Sequence, residues 1–143
     1  MRDLTKYRLD SATERLEVAE TMIDLGHFRI AVTNSYYAMF NAVRALLSER
    51  EVDFKKHSAV TSYFRREYIK TGLLNVKFSD YIGKAFIARQ HSDYGDFALV
   101  SREQAETQHQ HAVEFVEAVK NFLGGDENVC EDTGSDKLPA ADD

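Results

Sequence analysis

Residues 31–48 hold a run that only a helix surrounded by other helices can bury. At 100° per residue, Ala31, Val32, Ser35, Tyr36, Ala38, Met39, Phe40, Ala42, Val43, Ala45, Leu46 and Leu47 fill one broad arc. Thr33, Asn34, Tyr37, Asn41, Arg44 and Ser48 form a narrow polar stripe opposite. Within the arc, Ala31, Ser35, Ala38, Ala42 and Ala45 make a seam of small residues that lets another helix approach closely. The polar stripe is the first place to look for function.

Four more helical patterns surround this one. The first covers residues 4–25, with Leu9, Ala12, Leu16, Ala19 and Ile23 on one side and Gly26 as its C′ residue. The central pattern spans 28–50. The third covers 58–70, burying Val60, Phe64 and Tyr68 before Thr71-Gly72 stops it. The fourth covers 76–94, aligning Ile82, Ala85, Phe86 and Arg89, with Gly95 as a C′ candidate. The fifth opens at Ser101-Arg102-Glu103-Gln104, a capping box. Its buried stripe is Ala105, His109, Ala112, Val116, Val119 and Leu123. Short connections make neighbours antiparallel, so the fold class is all-α: an up-and-down bundle of about five helices. There is no strand run, repeat or glycine-rich phosphate loop.

The bundle is predicted for residues 1–123 and a disordered acidic tail for 124–143, starting at Gly124-Gly125. Of the net charge of −6, all belongs to that tail, which has seven acids and one base. The remainder balances 17 bases against 17 acids, so the acidity says nothing against an anionic ligand for the bundle. No run of about 18 apolar residues is present, which argues against a membrane span. The N-terminus has no apolar signal segment, and the one cysteine, Cys130, has no internal partner. The expected compartment is the cytoplasm.

Three groups of residues have chemistry to offer. Asn34, Tyr37, Asn41, Arg44 and Ser48 supply amide, phenol and guanidinium groups suited to a phosphate or a base edge. The competing uses of this stripe are a solvated face and a dimer seam. Arg89 and Asp93, four apart on a face shared with Ile82 and Phe86, form either a structural clamp or an anion site. Arg44, Arg50, Lys55, Lys56, Arg65, Arg66 and Lys70 make a modest basic excess, enough to touch phosphates and short of a duplex-binding arm. His109 and His111 are two apart and point away from each other on a helix, so no metal or cofactor site is expected.

Several blocks recur together in order and spacing: Gly26-His27-Phe28-Arg29 with Ala31-Val32, Ser35-Tyr36-Tyr37-Ala38-Met39-Phe40, Ala45-Leu46-Leu47, Lys56-His57-Ser58, Lys70-Thr71-Gly72-Leu73-Leu74, and Arg89 through Asp96. In these the chain resembles the HEPN domain (higher eukaryotes and prokaryotes nucleotide-binding), in the small stand-alone prokaryotic branch with a Tyr-Tyr-Ala-Met-Phe helix. The resemblance implies a dimeric all-α bundle, often encoded beside a minimal nucleotidyltransferase as a toxin–antitoxin-like pair. Many such proteins are metal-independent ribonucleases with an Arg-x4–6-His motif. Arginine then stabilises charge on the phosphate and histidine moves the proton. Here Asp93 stands where that histidine belongs, and Asn34-Ser35 stands where an arginine often precedes Tyr-Tyr. Two other Arg-x6-His spacings exist, Arg50 to His57 and Arg102 to His109.

The expected function is a module that binds a nucleotide, RNA or a nucleotidyltransferase partner through Asn34, Tyr37, Asn41, Arg44, Arg89, Asp93 and Tyr94. It requires the second and fourth helices to bring Arg44 and Arg89 to one groove. The alternatives are a ribonuclease toxin using Arg89 with Asp93 or His57, and a dimeric structural subunit without a ligand. The displaced motif turns the expectation away from an enzyme.

Overall fold

The computed structural model describes residues 1–94 and 99–133, with side chains at 1–93 and 99–124. It contains α1 (Asp3–Asp24), α2 (Phe28–Glu49), α3 (His57–Phe64), a π-helical turn (Arg65–Ile69), α4 (Lys77–Tyr94) and α5 (Arg102–Thr133). The described elements are all helical, as the hydrophobic spacing predicts. α2 is the central helix and packs on α1, α3, α4 and α5.

The helix ends follow from their residues. Gly26 takes a φ of +83°, its N–H donating to the Ile23 carbonyl while the His27 N–H donates to Met22. Both bonds satisfy orphan carbonyls of α1, the Schellman arrangement that a glycine without a Cβ adopts readily. Glu51 fills the equivalent place after α2 at a φ of +60°, with matching bonds to Ser48 and Leu47. The capping box forms as the sequence dictates: the Gln104 N–H donates to Ser101 Oγ at 3.0 Å, and the Ser101 N–H donates to Gln104 Oε1 at 2.9 Å.

The small seam of α2 is fully enclosed, with Ala31, Ser35, Ala38, Ala42 and Ala45 all at 0% exposure. Close helix approach leaves no space for added methylenes. Ala42→Leu is therefore expected to cost about 1–3 kcal/mol through overpacking, measured as a lower urea midpoint at unchanged slope.

Four features depart from the sequence pattern. Asn34 and Ser48, placed on the polar stripe, are buried, because α1 lies along that stripe and brings arginines to meet them. His109, placed on the buried stripe of α5, is half-buried, while Phe115, left off that stripe, is fully buried. The third helix finishes in a π turn that starts at Arg65. Finally, α5 continues past Gly124-Gly125 to Thr133. A glycine inside a helix costs about 1 kcal/mol and does not by itself end it. The rest of the acidic tail, 134–143, lies outside the described residues, as do Gly95 and Asp96.

Candidate functional site

Tyr37, Asn41 and Arg44 follow one another on α2 at helical spacing, so their side chains share one edge. α4 meets that edge with Arg89. Its guanidinium lies 5.5 Å from the Tyr36 ring centre and 5.2 Å from that of Tyr37. These are cation–π distances, and they fix the orientation of the charge. Arg89 Nε also bonds Asp93 Oδ2 at 3.2 Å, the pairing that their four-residue spacing predicts. Thr33 Oγ1 donates to the other carboxylate oxygen at 3.3 Å, which ties α4 to α2. Arg89 keeps 17% of its side-chain surface exposed.

α3 contributes His57 at its first residue. The imidazole stacks on Phe40 with ring centres 4.1 Å apart and stands edge-on to Tyr37 at 6.2 Å. Partial burial, then Arg89, then Arg44 push its pKa below the ordinary histidine value. Both guanidiniums thus act on one imidazole. Arg89 stands against Tyr37, whose ring also meets His57, and the charge of Arg44 reaches the same imidazole.

α1 lines the edge of this groove. Arg15 lies 5.4 Å from the Tyr37 ring centre and donates to Asn34 Oδ1 at 3.0 Å. Asn34 Nδ2 donates to the Ile30 carbonyl, so both polar ends of Asn34 are used within the fold. Arg8 donates to Ser48 Oγ at 2.8 Å and to the Arg44 carbonyl at 3.1 Å. Burial and the neighbouring Arg44 lower the pKa of Arg8. Asp53 sits between the two cations, 3.2 Å from Arg44 and 3.7 Å from Arg8. Burial opposes its ionisation. The Phe54 N–H bond, Arg44 and Arg8 outweigh that and hold its carboxyl below the usual range.

The groove therefore collects Arg8, Arg15, Arg44 and Arg89 against Asp53 and Asp93, an excess of two positive charges beside an exposed imidazole and aromatic faces. Such a set suits a phosphate flanked by a stackable group. Asn41 is half-buried, and its side-chain amide makes no hydrogen bond to another described residue, so it has that amide to offer a ligand. Tyr94 closes α4, and its side chain lies outside the described residues. Among the described residues, no group of three or more His, Cys, Asp or Glu is placed to hold a metal ion.

Sequence spacing pointed to other partners for the histidines. Arg50 lies over the Tyr68 ring at 4.4 Å and against Glu67, while the cations acting on His57 are Arg89 and Arg44. Arg102 lies over Phe28 at 5.1 Å and pairs with Glu106, so it does not complete an Arg102–His109 motif. Arg8, Arg15 and Phe40 were missed as groove residues. The signal for the two arginines was present: they are seven residues apart, hence on one face of α1 beside its apolar stripe.

His57 supplies a pH prediction. Its folded pKa is lowered, so the unfolded chain holds more protons as pH falls below the unfolded histidine value of about 6.5. The stability that His57 contributes is present above that value and lost as pH falls toward the folded pKa. In a proton NMR titration, His57 is expected to titrate below 6.5, and Arg89→Ala to move it back upward. An unmoved titration would mean that the guanidinium does not face the ring.

The site and the bundle together define a small all-helical protein with a basic, aromatic-lined groove. The HEPN domain family model matches residues 5–122. The chain belongs to the HEPN family. It is 35% identical to "Putative toxin MJ0142" of Methanocaldococcus jannaschii, over 85% of this chain and 82% of that protein. It is 30% identical to a UPF0332 protein of Thermotoga maritima, over 84% and 91% of the two chains. A second Methanocaldococcus jannaschii protein, "Putative toxin MJ0605", is 28% identical over 86% and 91%. No described helix is long and apolar enough to cross a membrane.

Proposed function

We propose that this HEPN protein is a toxin-like module of the cytoplasm whose α2–α3–α4 groove takes the phosphate backbone of single-stranded RNA. One observation carries this: His57 rests on Phe40 with two guanidiniums, Arg89 and Arg44, acting on it from different helices. Arg89 is the principal anion ligand, Arg44 and Arg15 extend the positive edge, and Tyr37 and Asn41 contact sugar or base. The relatives named as toxins support the toxin-like reading. A minimal nucleotidyltransferase as partner, and a homodimer as the working unit, belong to the same proposal. Copurification and sedimentation test those two.

Fluorescence anisotropy with a labelled single-stranded RNA tests the groove. Two or three phosphates neutralised there give a log–log salt slope of about −1.5 to −2. An affinity that is absent at low salt, or indifferent to salt, rejects the proposal.

Cleavage of the bound RNA is the second reading, favoured by an exposed imidazole whose pKa is held down beside a guanidinium. His57 then accepts the 2′-hydroxyl proton as O2′ bonds to phosphorus. The P–O5′ bond breaks, water protonates O5′, and a 2′,3′-cyclic phosphate remains. Arg89 stabilises the added charge on the phosphoryl oxygens. Substrates with a 2′-deoxy group at the scissile position would stay intact.

A further inference from the structure

Beyond His57, α3, the π turn and α4 enclose a pocket of about 430 Å³. Its size falls in the range of small-ligand sites. Two of its walls are shared with the phosphate groove: His57 lines both, and Tyr36, under the Arg89 guanidinium, forms its floor. Phe86, 36% exposed, stands 5.9 Å from the Tyr36 ring and offers an aromatic face at the mouth. Ser58, Thr61 and Ser62 share one face of α3 and line the pocket. Their hydroxyls make no hydrogen bond to another described residue. Arg65 closes one side, anchored by its Nε to Ser79 Oγ at 2.9 Å. A Cβ on Gly83 would meet Arg65 Nη2 at 3.0 Å, so the glycine leaves the room that this arginine occupies.

We propose that this pocket is a nucleobase seat, taking one unstacked base next to the phosphate held by Arg89 and His57. It rests on the RNA reading of the adjoining groove. A flat aromatic ring can stack on the exposed face of Phe86, which itself packs on Tyr36, while its polar edge meets the hydroxyls of α3 and the Arg65 guanidinium. A hydrocarbon ligand would leave those hydroxyls unpaired, and an inorganic anion would leave the aromatic face unused. Recognition of bases one at a time requires a single strand, because the edges of a paired base are engaged by its partner.

The test compares a 10-nucleotide RNA with an abasic strand of the same backbone, on the full chain and on Phe86→Ala and Gly83→Leu. Phe86→Ala removes the stacking face. Gly83→Leu fills the pocket and pushes aside the Arg65 guanidinium that its Cβ would meet. Each is expected to weaken base-bearing RNA about tenfold and to leave the abasic strand unchanged. Adenosine, guanosine, cytidine and uridine, which carry no phosphate, are titrated separately by amide NMR. They are expected to shift Ser58, Thr61, Gly83 and Phe86. Unchanged RNA affinity in both variants, or nucleosides that shift none of these amides, overturns the seat. Loss of the groove reading has a different signature: the abasic strand fails to bind the parent protein, while the nucleoside titration still decides the pocket.

Discussion

Arg89→Ala is expected to weaken single-stranded RNA binding tenfold or more while the helical circular dichroism stays intact. The guanidinium is held over two tyrosine rings and paired with Asp93, so little side-chain freedom remains to be lost when a phosphate arrives. A charge-assisted bond to phosphate from such a preoriented group is worth about 1.5–3 kcal/mol, or one to two decades of affinity. Among the described residues, removal also leaves Asp93 with only Thr33, turning a neutral pair into a negative charge at the groove edge. Arg89→Lys keeps the charge and loses the planar fork, so it should recover part of the affinity. If the groove cleaves RNA, the same alanine lowers the rate by about 100- to 1,000-fold. Equal RNA affinity in parent and Arg89→Ala would remove this arginine from the site.

The sequence pointed to α2 and α4, offered only His57 from α3 and nothing from α1, for a physical reason. Helical periodicity tells which residues of one helix share a face. Tyr37, Asn41 and Arg44 were therefore grouped on one edge of α2, and the Arg89–Asp93 pair followed from a spacing of four. It carries no information on which helix covers that face. α1 lies along the polar stripe, so Asn34 and Ser48 are consumed by bonds from Arg15 and Arg8. His57 lies in a connection whose path no spacing rule fixes, and only tertiary packing sets its ring on Phe40 beside Arg89. The family motif asked for an arginine and histidine close in sequence. Here the arginine and the histidine come from different helices. Local end signals read well because they act within one turn: Gly26 at its positive φ, and Ser101 with Gln104.

Phe115→Ala is expected to produce the largest stability loss in the bundle, about 3–5 kcal/mol. Phe115 was passed over in the sequence because it stands one position beside the apolar stripe of α5. It is buried because α5 faces α2 on one flank and an aromatic cluster on the other. Its ring centre is 5.5 Å from Phe64 and 5.6 Å from Phe78, joining α5 to α3 and to the start of α4. Phe64 continues the cluster to Tyr68, and Tyr68 to Phe122, with Tyr68 donating a hydrogen bond to the Leu46 carbonyl of α2. At 1% exposure, truncation leaves a cavity bordered by rings too rigid to collapse into it. A domain of this size has about 5–15 kcal/mol in all, so the variant stands near the edge of folding. Thermal unfolding is expected to drop by roughly 10–20 °C. Phe115→Leu keeps most of the volume and should lose less than half as much. Because the cluster involves none of the arginines of the groove, RNA affinity per folded molecule is expected to match the parent. A Phe115→Ala loss below about 1 kcal/mol would mean that α5 does not pack on the aromatic cluster as described.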